Sequence, residues 1–178
     1  MEPVDSIELQ PVLHGETLWL RPMQAEDFAA LYQVASDPLI WEVHPEPTRY
    51  QRPAFEKFFA KGIGSKGALV VIDKATQRIM GTSRYYDWNP SRREIAIGYT
   101  FLARQYWGGA ANGEMKRLML DHIFQWAPLV WFHIGAANWR SRKALEKLGG
   151  SVSHFAPMDV NGVPTDYAYY TLSPSMLR

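Results

Sequence analysis

The chain has 178 residues, 47% of them hydrophobic, and a formal net charge of +1, which suits one sizeable core and leaves two domains cramped. That balance, without a Lys/Arg block, excludes broad electrostatic binding to nucleic acid. With no cysteine there is no disulfide framework, thiolate metal site or cysteine-acyl intermediate.

Met1 to Gly15 is mixed and aperiodic, and is expected to be a lead-in to a single domain over residues 16–178. It shows neither the basic nor the apolar region of a secretory signal, and no apolar run reaches membrane-spanning length, so a cytoplasmic address is expected. Thr17–Pro22 reads as a strand. Gln24–Ser36 carries Phe28, Leu31, Tyr32 and Ala35 at helical spacing, with Glu26 and Asp27 early, and Asp37-Pro38 closes it. Leu39–Arg52, rich in proline and aromatics, is an irregular connector of the kind that lines pockets. Pro53–Lys61 resumes a helix. Gly62-Ile63-Gly64-Ser65-Lys66-Gly67 fits G-x-G-x-x-G, but it follows a helix and precedes a strand, the reverse of the dinucleotide-binding order. Ala68–Ile72 and Arg78–Tyr86 form a hairpin, and a turn over Asp87–Arg92 leads onward.

From Glu94 to Asp121 a strand gives way to a helix across a small-residue turn. Ile95–Leu102 is β-branched and aromatic; Gln105 to Ala110 breaks the run. From Ala111, Met115, Leu118, Met119, Ile123 and Trp126 share one helical face, with Lys116, Arg117 and Asp121 turned elsewhere. The first N–H groups of such a helix lack internal partners, and glycine admits a ligand close to the main chain, which makes a seat for an anion. Taken alone, Gly108-Gly109 reads first as an ordinary tight turn, since turns are where glycine usually sits. Beyond it, Leu129–Ile134 is a strand, Asn138 caps a helix that turns Ala144, Leu145 and Leu148 inward and stops at Gly149, and Ser151–Phe155 and Asp166–Leu172 are strands separated by a turn at Asn161-Gly162. The order is β-α-α-β-β-β-α-β-α-β-β.

Gln105-x-x-Gly108-x-Ala110 resembles the Arg/Gln-x-x-Gly-x-Gly/Ala signature of the GNAT superfamily of acyl-CoA-dependent N-acetyltransferases. Asn138-Trp139-Arg140-Ser141-Arg142-Lys143-Ala144-Leu145-Glu146-Lys147-Leu148-Gly149 resembles that family's N-x-x-S-x-x-x-L-x-K-x-G helix. Leu20-Arg21-Pro22 and Asp37-Pro38 are similar to the branch of ribosomal-protein N-terminal (alanine) acetyltransferases. The resemblance implies an α+β fold, a mostly antiparallel sheet flanked by helices, with splayed parallel fourth and fifth strands. One departure stands out. That branch commonly has Glu-Ile-Gly-Tyr on its fourth strand, whereas here Ala96 precedes Ile97-Gly98-Tyr99 and the acid is Glu94.

The same resemblance implies direct attack of an amine on acetyl-CoA in a ternary complex, with coenzyme A as co-substrate. Gln105, Tyr106, Trp107, Gly108, Gly109 and Ala110 would hold its diphosphate. A backbone N–H among Phe101, Leu102 and Ala103 would face the oxyanion, Asn138 would touch the pantetheine arm, and Ser141 would donate to the leaving sulfur. Glu94 would take the amine's proton, directly or through water. Several of these residues also have purely structural readings: Asn138 is a good N-cap, serine is common in a first turn, and an acid at a strand start is usually solvated. Trp41, His44 and Trp88 would line an aromatic acceptor site, or cover the sheet edge. Tyr85, Tyr86 and Tyr99 would pack, or meet substrate. Arg104, Arg140, Arg142 and Lys143 are candidates for the outer phosphate.

His44 and His133 lack metal-ligand spacing, so no metal is expected. The acceptor is left open among a peptide N-terminus, a polyamine and a small drug-like amine. Expected partners are acetyl-CoA and that amine, without nucleic acid or membrane, in a monomer or homodimer. A rival reading is a non-catalytic acyl-CoA-binding or protein-interaction domain. Aromatic single-strand nucleic-acid binding is weakened by the low net charge.

Overall fold

The computed structural model describes residues 7–178. Its strands are β1 (Leu13–His14), β2 (Leu18–Pro22), β3 (Ala68–Asp73), β4 (Ile79–Asn89), β5 (Glu94–Leu102), β6 (Leu129–Gly135), β7 (Ser151–Val160) and β8 (Val163–Leu172). They form one sheet in the order β1-β2-β3-β4-β5-β6-β8-β7. All neighbours pair antiparallel except β5 and β6. Helices α1 (Phe28–Ala35), α2 (Arg52–Ser65), α3 (Ala111–Ile123) and α4 (Trp139–Lys147) complete the α+β fold. Because β1 is short, β5 and β6 are the strands expected as fourth and fifth.

Alternation along the fully buried β3 divides the interior in two. Leu69 and Val71 join Leu18, Leu20, Ile95 and Ile97 beneath Met115, Met119 and Ile123 of α3 and Leu145 of α4. Ala68, Val70 and Ile72 face the other way, under Leu31 and Ala35 of α1 and Phe55, Phe58 and Phe59 of α2. The sheet is therefore clad by α3 and α4 on one face and by α1 and α2 on the other.

The parallel pair is what opens the molecule. Its register runs only from Glu94↔Leu129 to Ala96↔Trp131. β6 goes on pairing with β8 as far as Gly135↔Tyr167, while β5 shifts register against β4 between Gly98 and Phe101. Tyr99 sits in that irregularity with φ of 53°, and an extra residue of this kind bends its strand. β5 and β6 thus diverge, leaving the second half of β5 without a neighbour on one side.

Several expectations need correction. Gly62 and Gly64 do not form a loop: α2 continues to Ser65 and ends at Lys66, whose φ is 58°. Phe55, Phe58, Phe59 and Gly62 repeat at helical spacing and are buried, so packing of that face overrides the low helix propensity of glycine. Lys116 is not turned away but buried on α3. Residues 7–15 are tied down, with Ile7, Leu9 and Leu13 on the core and Leu13 paired to Leu20; residues 1–6 of the expected lead-in lie outside the described residues. β4 runs into the expected turn as far as Asn89, and a register shift between Tyr86 and Asn89, with Asp87 at φ of 57°, re-aims Trp88.

Phe55 is fully buried and touches the rings of Phe28, Tyr32, Phe58, Phe59 and Phe101, joining both helices of one face to β5. Phe55→Ala is expected to lower the unfolding free energy by about 3–5 kcal/mol, read as a fall in the urea midpoint.

Candidate active site

Where β5 and β6 part, a cavity of about 1050 Å³ runs from the turn before α3, between α3 and α4, to the connector that precedes α2. Trp41, His44, Phe101, Leu102, Tyr106, Trp107, Gly108, Gly109, Ala110, Asn138 and Ser141 all line it. Residues scattered over 101 positions of sequence are brought to one surface by the strand divergence alone.

At one end, Arg104–Tyr106 make a single 3-10 turn in which the N–H groups of Tyr106 and Trp107 donate to the carbonyls of Ala103 and Arg104, each at 3.0 Å. Those two donors are consumed locally. The N–H groups of Gly108, Gly109 and Ala110 have no backbone acceptor among the described residues, and Ala110 gives α3 no side-chain cap. Gly108 has φ of +76°, and a Cβ on Gly108 or Gly109 would meet nothing within 4 Å, so open space stands over the donors. This arrangement suits a diphosphate. Glu114, the acid of the first turn, is drawn off to accept from the N–H groups of Thr17 and Leu18 at 3.0 and 2.9 Å. Arg140 stacks 3.7 Å over the Trp107 ring and lines the same end with Lys143. Arg104 instead pairs with Asp37, which it holds below the usual carboxylate range, and Arg142 donates to the Tyr170 hydroxyl and the Ala136 carbonyl. Gln105 is exposed and does not line the cavity.

The middle of the cavity follows the bare edge of β5. The Ala103 N–H donates to the Met80 carbonyl at 2.8 Å and so points toward β4. By strand alternation Leu102 presents its N–H and carbonyl to the opposite, cavity side. The Trp107 indole donates to that carbonyl at 3.0 Å, leaving the Leu102 N–H as the open donor of the three residues expected there. Across the gap, Asn138 caps α4 by accepting from the Ser141 N–H at 3.4 Å, and the Ser141 hydroxyl has no partner among the described residues. Lys116, on α3, has only Asn112 Oδ1 at 3.1 Å, and burial pushes its ammonium down to about 8.

The far end is aromatic. Tyr86 and His133 face each other with Oη and Nδ1 3.0 Å apart, flanked by Tyr99 and Tyr169. Burial lowers the His133 pKa and raises that of Tyr86. Trp41 is almost fully buried and donates to the Ala35 carbonyl at 2.8 Å, so much of it is core. His44 stands edge-on against Trp41 and accepts from the Glu46 N–H at 2.9 Å.

Besides Ala103 and Gln105, which do not line the cavity, two further expected site residues lie away from it. Glu94 lies at the paired start of β5, where it accepts from the Trp131 indole at 3.2 Å and meets Arg92 at 3.5 Å. Trp88 packs on the core. Conversely, the cavity holds Lys116, Arg49 and the paired Tyr86 and His133, none of them among the expected site residues. Lys116 falls on the helical face of Met119, Leu120 and Ile123, a signal that was legible; Tyr86 and His133 are 47 positions apart and no spacing links them. Among the described residues, no group of three or more His, Asp or Glu side chains is placed to hold a metal. No helix among them is long and apolar enough to cross a membrane.

A mixed sheet with one diverging parallel pair, and a glycine turn offering free amides to the gap, is the architecture of an acyl-CoA-dependent acetyltransferase. The family model described as "Acetyltransferase (GNAT) domain" matches residues 17–151, and the chain belongs to that family. No curated protein matches the sequence. The structure is similar to a probable GNAT-family acetyltransferase from Chromobacterium violaceum, with a TM-score of 0.82 at 20% identity over 96% of this chain and 89% of that one. It is similar to a ribosomal L7/L12 alpha-N-protein acetyltransferase in complex with coenzyme A, with a TM-score of 0.76 at 13% identity over 92% and 98%. A spermidine N-acetyltransferase from Vibrio cholerae in complex with CoA and spermine aligns with a TM-score of 0.68 at 19% identity over 91% and 98%. These likenesses show the shared fold.

Burial first, and then the charge of Arg49, depress the His44 pKa from 6.5 to about 3. Between those values the unfolded chain binds a proton that the folded chain refuses. The contribution is therefore whole above pH 6.5 and is lost as pH falls toward about 3, with a slope of up to about 1.4 kcal/mol per pH unit. Acid unfolding followed by circular dichroism is expected to show a shallower decline across this window in His44→Asn.

Proposed function

We propose that the protein transfers the acetyl group of acetyl-coenzyme A to a primary amine by direct attack in a ternary complex. One observation carries this reading: a single cavity joins the free amides of Gly108 to Ala110, the bare edge of β5 at Leu102, and the Tyr86–His133 pair. Acetyl-coenzyme A supplies an activated thioester. Everything else is the work of this chain's own groups.

The amides after Trp107 hold the diphosphate, with Arg140 and Lys143 beside it and Lys116 adding a buried cation. Several N–H bonds share this task, because the dipole of an exposed helix end contributes only about 0.3–1 kcal/mol. The Leu102 N–H is aimed at the thioester oxygen, where one preorganised donor is worth about 2.7–4 kcal/mol as charge develops. Asn138 borders the pantetheine arm while capping α4. The free Ser141 hydroxyl donates a hydrogen bond to the departing sulfur.

For the proton on the attacking amine we assign His133 rather than Glu94. His133 lines the cavity, and its lowered pKa keeps it neutral near pH 7. In the tautomer whose Nδ1–H donates to the Tyr86 oxygen, which this role requires, Nε2 is the nitrogen free to accept a proton. Glu94 is held outside the cavity by Trp131 and Arg92. Trp41 and His44 border the acceptor beside Tyr99 and Tyr169. The proposal includes a cytoplasmic setting, where acetyl-coenzyme A is supplied, and a monomer or homodimer. The similarity to a ribosomal-protein acetyltransferase supports a peptide N-terminus as one acceptor to try; the similarity to a spermidine acetyltransferase supports a polyamine as another.

The test is thiol release from acetyl-coenzyme A over a panel of peptides, polyamines and small amines. Release with at least one amine is expected; tight binding of acetyl-coenzyme A without release across the panel would establish a non-catalytic acyl-CoA-binding domain instead. Gly108→Glu, which forces a side chain and a negative charge onto the phosphate seat, is expected to weaken coenzyme A binding at least tenfold by calorimetry. Ser141→Ala is expected to keep the fold and lower kcat. In the pH profile of kcat/KM, a limb with a midpoint below 6.5 is expected to vanish in His133→Gln and to persist in Glu94→Gln; the opposite pattern would return the role to Glu94.

A further inference from the structure

The acceptor end of the cavity holds more positive charge than its acids neutralise. Arg49 lines the wall with 7% of its surface exposed. Its guanidinium lies 5.2 Å from the Trp41 ring centre and 4.6 Å from that of Phe58. Both rings touch Phe101, on the strand edge that faces the thioester. Behind it, Arg84 is 6% exposed, 4.0 Å from the Tyr99 ring centre and 5.5 Å from that of Phe58. Its Nε is buried without an acceptor, and it forms no ion pair among the described residues.

Of the two guanidinium groups, only that of Arg49 has a carboxylate partner among the described residues. Glu46 meets Nη2 of Arg49, while its other oxygen accepts from Asn161 at the tip of the β7–β8 hairpin at 3.3 Å. Nε and Nη1 of Arg49 have no acceptor among the described residues. Asp87 borders the cavity but is exposed and meets neither arginine. Burial lowers the pKa of both arginines, that of Arg49 to about 10, which leaves them cationic at neutral pH. The surrounding Tyr86 and Tyr167 phenols are pushed toward their neutral forms, and His44 is neutral.

A buried cation without a counter-ion is costly, and a planar guanidinium offers paired donors that match a carboxylate. We propose that this end of the cavity binds a carboxylate carried by one of the substrates, with Arg49 gripping it and Arg84 supporting the charge from behind Tyr99. The inference rests on the transferase reading above. The carboxylate has two possible bearers: the amine, which would then be amino-acid-like, or the acyl chain, which would then be a dicarboxylic acyl group. Glu46 already shows the contact from within the chain. A polyamine is disfavoured, because its second ammonium would meet the guanidinium pair.

The experiment is calorimetric binding of matched probes to wild-type protein and variants. Acetyl-coenzyme A is compared with succinyl-coenzyme A, and, on protein loaded with coenzyme A, the proteinogenic amino acids are compared with their carboxamides. The carboxylate member is expected to bind at least tenfold more tightly in one of the two comparisons, which identifies its bearer. Arg49→Gln should erase that preference, Arg49→Lys should retain part of it, and Glu46→Gln should enlarge it by removing the internal competitor. Pairs equal within threefold throughout, or a preference that survives in Arg49→Gln while Arg49→Lys confirms a folded site, would overturn the proposal. Thiol release measured in parallel separates the two readings: turnover without a carboxylate preference sinks this inference alone, and a carboxylate preference without turnover sinks the transferase reading alone.

Discussion

Everything in the cavity depends on a strand pair that stops pairing. β5 and β6 begin as hydrogen-bonded parallel neighbours at Glu94↔Leu129 and part after Ala96↔Trp131. Buried backbone donors are almost always paired, so the bare edge of β5 beyond that point requires either water or a ligand lying along it. Tyr99, at positive φ inside the register shift, bends the strand away from β6, and the partners of β6 on its other side hold that strand in place. Neither strand can move to close the gap without breaking its other ladder.

Charge along the cavity is graded by the same scaffold. Free amides, Arg140, Lys143 and Lys116 gather where α3 begins, and the one acid of that first turn is committed to β2. The middle is neutral, formed by the edge of β5 and the start of α4. At the far end burial keeps both histidines from charging, while two arginines stay cationic because their intrinsic pKa is too high for burial to neutralise them. In the proposed reading, proton acceptance and anion recognition fall to different side chains at this end of the cavity.

The surroundings hold these groups to one geometry. Trp107 spends its indole on the Leu102 carbonyl and its ring face on Arg140, tying the glycine turn to both β5 and α4. Glu46 joins Arg49 to the β7–β8 hairpin tip, and Pro45 fits against Gly135 at the end of β6, where a Cβ would come within 2.4 Å of the proline ring. The irregular connector before α2 is thus fastened at several points, although nothing in its local sequence repeats.

Local sequence determined the elements whose cause is local. Short runs of β-branched, aromatic and apolar residues marked every strand longer than two residues, helical apolar spacing marked α1, α3 and α4, the Asn138 cap and the Asn161-Gly162 turn announced themselves by residue type, and Gln105 to Ala110 marked the strand-to-helix turn that bears free amides. Only the tertiary structure decided what depends on contacts between distant residues: that Gly62 and Gly64 continue a helix because Phe55, Phe58 and Phe59 bury its face, that a shift of register turns Trp88 onto the core, that Glu94 stays in the paired part of β5 outside the cavity, and that His133 meets Tyr86. Spacing along a chain encodes which face a residue takes within its own element. The bulges and strand divergence that bring separate elements to one surface arise from packing over the whole sheet, and no local pattern carries them.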